Sequence, residues 1–329
     1  MPHRDLIIIF ARFPQPGQTK TRLIPALGPE GAARFQHHMS SHALRVARQA
    51  LPSGDIRMDF SGASPDLMPA LYGTSLSYHP QIAATLGTRM YQALRSGISR
   101  GYRRIVLLGT DCPDMTPSIL QRALDLLHRV PVVLGPALDG GFYLIGVHAS
   151  LSLDAISTIL DDTNMPWGSS RVLDIIAHRA EGLGLDLEYL HKMQDMDHPQ
   201  DLDQTDFTVD PPSLTPRVSV IIPTLNEENH LERTLSRFLR ADNVQVIVSD
   251  GGSTDGTRDI AMGYGVDWIQ SEAGRGRQMN QGAAKAEGEI LVFVHADTQM
   301  PFLFEHFLRQ ALKNPACVGG AFCFDLDSS

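Results

Sequence analysis

Short aliphatic and β-branched runs alternate with amphipathic stretches along almost the whole chain, and this alternation restricts the fold to strand–helix units around a mostly parallel sheet. Residues 6–10, 57–60, 105–108, 132–134 and 142–145 have the length and composition of buried strands. Ala32, Phe35, Met39, Ala43, Val46 and Leu51 recur at helical spacing, which predicts a helix over 29–51 with one buried face. Later, 218–222, 244–249 and 290–294 read as strands, with helices expected at 227–239 and 257–262.

Residues 203–217 break the rhythm. They are polar, carry Pro211, Pro212 and Pro216, and show no hydrophobic period, as a linker would. The expected organisation is a domain over 1–205, a proline-rich linker over 206–216 and a second domain over 217–329. A length of 329 residues suits two domains. The net charge of −9 argues against a general nucleic-acid binder, which needs a basic face for phosphates. Three cysteines, Cys112, Cys317 and Cys323, lack the number and spacing for a disulfide framework or a zinc site, and no apolar run reaches the about 18 residues of a membrane span. The first apolar run is too short for a signal peptide and is followed by Arg12, so the expectation is a cytoplasmic protein without a membrane span.

Residues 105–115, with Asp111, parallel residues 290–300, with Asp297: each is a buried strand running to an aspartate before a turn. In open α/β sheets ligands bind beyond the carboxyl ends of strands, where a carboxylate can hold a metal against a phosphate. After the first strand, the loop from Ala11 to Leu23 carries Gly17, Lys20 and Arg22 and lacks the spacing of a Walker loop. It suits either a triphosphate, with Gly17 permitting close backbone approach, or a solvated surface. Asp111 reads as a site carboxylate or a helix cap, Asp195 as a turn residue, and Asp139 as a ligand or a tight-turn aspartate. Cys112 has no His or Asn partner in view and reads as packing or lining.

Together, Lys20-Thr-Arg22-Leu, Gly109-Thr-Asp111-Cys-Pro113, the stretch Gly135–Gly146 with Asp139-Gly140-Gly, Trp167-Gly-Ser-Ser and Asp195-Met-Asp197-His-Pro-Gln-Asp201 resemble an uncharacterised bacterial family. That family has the nucleotide-diphospho-sugar transferase (GT-A) fold and is related to the 2-phospho-lactate guanylyltransferases. The resemblance covers roughly residues 5–205. It implies a nucleotidyl-transfer-like site in which Lys20 and Arg22 hold phosphates while Asp111 and Asp197 hold Mg²⁺.

In the second half, the strand ending Pro223-Thr224-Leu-Asn-Glu227, then Asp250-Gly-Gly-Ser-Thr-Asp255, Gly274-Arg275-Gly-Arg277 and His295-Ala-Asp297 resemble family 2 glycosyltransferases, inverting GT-A enzymes that use nucleotide-diphospho sugars and a divalent metal. The resemblance implies that Pro223, Thr224, Glu227 and Asp250 bind the nucleoside, Arg277 the phosphates and Asp297 the metal. Gly251 stands where a second acidic residue is common, and His295 replaces the first Asp of the usual Asp-x-Asp motif. His295 then either lines the site or favours Mn²⁺ over Mg²⁺. Residues 217–329 are about half of such a domain, so an incomplete second domain and an exposed sheet edge open to self-association are expected.

The expected fold is therefore α/β, with two tandem GT-A-like three-layer α/β/α domains. The expected function is a metal-dependent transferase acting on a nucleoside triphosphate or nucleotide-diphospho sugar, with Mg²⁺ or Mn²⁺. The alternative is a nucleotide-sugar sensor that binds without turnover.

Overall fold

The computed structural model describes residues 4–82, 84–161, 165–204, 215–238 and 241–323, and the chain divides into two compact units, Met1–Phe207 and Thr208–Ser329. Most of the expected linker, 206–214, lies outside the described residues, as does Leu239 at the end of one expected helix.

The first unit holds strands β1 (Asp5–Arg12), β2 (Asp55–Ser61), β3 (Ser77–Pro80), β4 (Arg104–Leu108), β5 (Val132–Pro136), β6 (Phe142–His148) and β7 (Leu187–Tyr189), in the sheet order β3-β2-β1-β4-β6-β5-β7. Only β6 runs against the rest. A five-residue turn, closed by the Ala137 amide on the Gly141 carbonyl at 3.0 Å, joins β5 to β6 and is far too short for a crossover, so the pair must be antiparallel. On one face Leu6, Ile8, Ile105, Leu107, Leu134 and Ile145 pack under helices Leu86–Ser99, Leu153–Leu160 and Val172–Gly182. The opposite face, with Ile7, Ile9, Val106 and Leu108 buried, is covered by helices Ile24–Ala50 and Pro117–Leu126. Burial on both faces explains why these strands read as continuous apolar runs. The long helix bends at Gly28 (φ +70°) just before Pro29, where the periodicity placed its start.

The second unit holds β8 (Val218–Thr224), β9 (Val244–Asp250), β10 (Asp267–Gln270) and β11 (Ile290–Phe293), all parallel, in the order β10-β9-β8-β11. That order repeats β3-β2-β1-β4 of the first unit, and β4 and β11, the strands of the sequence repeat, occupy equivalent places. Both units are GT-A-like α/β layers. Among the described residues the second has no counterpart of β6, β5 and β7, and Leu291 and Phe293 on β11 are exposed. The helix expected over 227–239 shortens to Leu231–Leu235, and ahead of it the amides of Glu227 and Glu228 donate to Thr257 Oγ1 (2.8 Å) and Asp255 Oδ2 (3.2 Å). Among the described residues no helix is long and apolar enough to cross a membrane.

Candidate active site

In the first unit the polar residues gather beyond the carboxyl ends of β1, β4, β5 and β7. Pro16-Gly17 occupies the middle of a turn closed by the Gln18 amide on Gln15 O (3.1 Å), and φ +77° at Gly17 fits a type II turn. Buried Thr19 pins this turn by donating to Phe13 O (2.8 Å) and accepting from the Gln15 amide (3.2 Å). The chain then passes through Lys20, at φ +47° and ψ +46° in the left-handed region, into the short helix Thr21–Leu23. Lys20 Nζ ends 2.8 Å from Asp111 Oδ1, 2.9 Å from Asp197 Oδ1 and 2.6 Å from Met196 O. Arg22 Nη1 lies 3.4 Å from Asp197 Oδ2.

Two backbone contacts bring these distant carboxylates together. The Met193 amide donates to Pro136 O (3.0 Å), laying residues 193–197 along the end of β5, and the Met196 amide donates to Asp111 O (2.9 Å). Asp201 then orders the turn by accepting from the amides of Asp197 (3.0 Å) and His198 (2.7 Å). Asp111 does not cap the following helix, whose N-cap is Thr116. Asp139 Oδ1 accepts from the Gly141 amide at 2.7 Å, so Asp139 makes the tight turn and also faces the site.

These groups border a cavity of about 530 Å³. Arg12, Lys20, Arg22, Asp111 and Asp197 line its charged part, and Leu86, Met90, Phe142 and Trp167 its apolar part. Gln36, from the long helix, crosses to Thr110 Oγ1 at 3.0 Å and forms part of the wall. A second cavity of about 130 Å³ lies beside it, lined by Asp111, Asp139, Asp195 and Cys112. Gly17 and Gly140 line neither cavity. Gly140 (φ +88°) instead packs its Cα against Ser170, whose carbonyl oxygen would stand 2.2 Å from an added Cβ.

The electrostatics follow from this crowding. Burial, then repulsion from Asp139, Asp197 and Asp111, raises the Asp195 carboxyl to about 6. Burial also raises Asp197, but Lys20, Arg22 and His198 outweigh it and leave that carboxyl below its ordinary value. For Lys20, burial works against the charge, yet Asp111 and Asp197 prevail and hold the ammonium above its ordinary value. Burial first, then Asp111 and Asp195, pushes the Cys112 thiol up, which suits packing and not nucleophilic attack.

Asp195 was legible only as a turn residue, yet burial and then three neighbouring carboxylates raise its carboxyl. Its folded value of about 6 exceeds the ordinary 3.8, so the folded state holds the proton more tightly and stability falls as pH rises from about 4 through 6. Asp195→Asn is therefore expected to raise the melting temperature at pH 7 in metal-free buffer. The gain is about 1 kcal/mol after discounting for half-exposure, or roughly 2–4 °C, and should vanish at pH 4. A variant no more stable than wild type at pH 7 would contradict the burden placed on Asp195.

In the second unit, Asp250 ends β9 and is 3% exposed. Its carboxylate accepts from Thr224 Oγ1 (3.0 Å), the amides of Gly252 (2.9 Å) and Ser253 (2.8 Å), and the Ser253 hydroxyl. Gln278 ties the two strand ends together by donating to Thr224 O (2.7 Å) and Ser249 O (2.9 Å). A Cβ at Gly251 would lie 3.1 Å from Gln278 Nε2 and 3.2 Å from Ala273 Cα, so Gln278 fills the space that an acidic residue there would need. Asn226 (φ +57°) and Glu227 are stitched to the next loop through Ser253, Thr254 and Thr257. Pro223 is half-buried between these ends. Arg277 is exposed and pairs with Glu272 at 2.6 Å. His295 and Asp297 follow β11, both exposed, and among the described residues no hydrogen bond or ion pair joins them to Asp250 or Arg277.

Comparison with known proteins divides the chain in the same way. Residues 43–169 match the family described as "Uncharacterized protein conserved in bacteria (DUF2064)", and residues 219–327 match glycosyl transferase family 2. A solved structure ascribed to the nucleotide-diphospho-sugar transferases, from Desulfovibrio desulfuricans G20, superposes with a TM-score of 0.53 at 28% identity, over 59% of this chain and 82% of that one. The dolichol-phosphate mannosyltransferase of Pyrococcus furiosus is 35% identical over 107 residues, 30% of each chain. An uncharacterized glycosyltransferase of Rickettsia typhi is 32% identical over 98 residues, 28% of this chain and 31% of that one. The chain thus spans under a third of the length of these two relatives.

Proposed function

We propose that this chain, which joins a DUF2064 domain to a family 2 glycosyltransferase domain, is a metal-dependent transferase whose first unit handles a nucleoside triphosphate or nucleotide-diphospho sugar. The observation that carries the proposal is the convergence of Asp111, Asp139, Asp195 and Asp197 with Lys20 and Arg22 at the strand ends, beside a cavity with an apolar part.

The donor set fits a hard divalent cation. Carboxylate oxygens suit Mg²⁺ or Mn²⁺, and the Lys20 ammonium already stands between two of them as a cation. Asp111 and Asp197 would hold the ion, which when bound supplies neutralisation of charge on the transferring phosphate. Arg22 and Arg12 offer their guanidinium groups to phosphate oxygens. Phe142 and Trp167, 6.5 Å apart between ring centres, offer flat apolar faces to a base or sugar ring. In the reaction, a phosphate oxygen of the acceptor attacks the α-phosphorus of the triphosphate, its bond to the bridging oxygen breaks, and pyrophosphate leaves. These residues position and neutralise, with no covalent intermediate on the protein.

In the second unit, Pro223, Thr224 and Glu227 would frame the nucleoside and Arg277 would meet the diphosphate after leaving Glu272. His295 and Asp297 are assigned to the metal side. Asp250 is assigned a positioning role, because a base N–H could reach its carboxylate only by displacing one of its present donors. A second reading, a nucleotide-sugar binder without turnover, draws support from exposed His295 and Asp297, which among the described residues no hydrogen bond or ion pair joins to Asp250 or Arg277.

The test is a pyrophosphate-release assay on the intact chain, over nucleoside triphosphates and sugar phosphates, with Mg²⁺, Mn²⁺ or EDTA. Metal-dependent release is expected. Stabilisation by nucleotide sugars with no release under any condition would favour the binding reading.

A further inference from the structure

As it stands, Lys20 is engaged by protein oxygens and not offered to the phosphate that its position after β1 suggests. An ammonium has three N–H donors, and Asp111 Oδ1, Asp197 Oδ1 and Met196 O engage it at 2.8, 2.9 and 2.6 Å. Its side chain is 6% exposed, while those of Asp111 and Asp197 are 44% and 37% exposed. A phosphate entering the cavity meets the carboxylates before the ammonium, and reaches Nζ only after the side chain turns. The backbone under this arrangement sits in the left-handed region, which a residue with a Cβ enters at a cost. The contacts at Nζ are what the structure offers against that cost.

We propose that Lys20 is an internal counter-cation that competes with a divalent metal for Asp111 and Asp197, so that metal binds weakly until nucleotide phosphates draw the ammonium away. The proposal rests on the reading that these two carboxylates hold the metal. Four carboxylates, Asp111, Asp139, Asp195 and Asp197, border the two adjoining cavities. Such a cluster needs a cation in every state. With Lys20 in place, an incoming ion meets carboxylates already half neutralised and a positive charge at contact distance from both. With Lys20 turned to a phosphate, Asp111 loses its ammonium and Asp197 keeps only Arg22 at 3.4 Å, and the ion replaces what left. Nucleotide and metal therefore assist each other, and linkage makes that assistance reciprocal. A chain built this way holds metal only weakly when it has no nucleotide to use it on.

The experiment is a Mn²⁺ titration of the intact chain in nucleotide-free buffer, followed by calorimetry and by the electron paramagnetic resonance of free Mn²⁺. Lys20→Met is expected to bind Mn²⁺ at least about tenfold more tightly than wild type, within the roughly 5- to 150-fold span usual for coupled sites. Lys20→Gln, which is one atom shorter and keeps an uncharged NH₂ with two donors, should shift in the same direction and covers the case in which the methionine variant does not fold. Adding Asp111→Asn to either variant should cancel the gain. Equal or weaker Mn²⁺ affinity in both Lys20 variants overturns the proposal, as does a gain that survives Asp111→Asn. Tighter Mn²⁺ binding in a chain that releases no pyrophosphate would leave the counter-cation standing and remove the nucleotidyl reaction, so the two failures are distinguishable.

Discussion

Asp111→Ala is expected to slow metal-dependent pyrophosphate release by about 10²–10³-fold while the first unit stays folded. The loss follows from what Asp111 would supply: metal neutralisation of a transferring phosphate is worth several kcal/mol, and each 1.36 kcal/mol is tenfold. The stability cost is small for a different reason. Asp111 is 44% exposed, its pairing with Lys20 is partly screened, and Lys20 keeps Asp197 and the Met196 carbonyl. Removing one of four crowded carboxylates also relieves Asp195, whose titration should move down from about 6. Turnover and the Asp195 titration, read by carboxyl NMR, are therefore expected to move together. An unchanged rate in a folded Asp111→Ala chain would remove this carboxylate from the proposed machinery.

Asp250→Ala is expected to act on stability. Its buried carboxylate takes hydrogen bonds from two hydroxyls and two amides. Truncation leaves these donors without an acceptor, and each buried unsatisfied group costs about 1–3 kcal/mol, so a loss of about 3–5 kcal/mol is expected once some donors find water. The second unit should unfold at lower urea concentration while the first is unaffected. Each unit holds one of the two tryptophans, Trp167 and Trp268, so the Trp167→Phe background reports the second unit alone through Trp268, which pairs with Val248 on β9. A chain that unfolds like wild type yet loses nucleotide-sugar binding would return Asp250 to direct contact with the base.

The interior strands were legible because they are buried on both faces and read as unbroken apolar runs. The three strands that escaped the sequence, β3, β7 and β10, are all sheet edges, where half-burial leaves no such run. Lys20, Arg22, Asp111 and Asp197 were legible as a set, and the fold brings them within 3.4 Å of a partner in that set. Their arrangement was not legible. Composition cannot say that an ammonium points at two carboxylates and not at open solvent, since Lys20 and Asp197 are 177 residues apart and meet through backbone pairing near β5. Gly17 was legible as a residue that permits close backbone approach, and Gly140 as part of the Asp139-Gly-Gly run. The chain uses them at a tight turn and against Ser170, since a positive φ is as common a reason for glycine as a ligand.

By itself the sequence determined the alternation of strands and helices, the helical stretch that follows the bend before Pro29, the repeat of Asp111 in Asp297, and the residue types gathered at strand ends. Periodicity and local turn chemistry decide these, and both are properties of neighbours in the chain. The tertiary structure alone decided the burden on Asp195, the saturation of Asp250 and the closing of Lys20 on two carboxylates. Each of these depends on how many charges and donors share one small volume, a quantity set by packing between segments far apart in the chain.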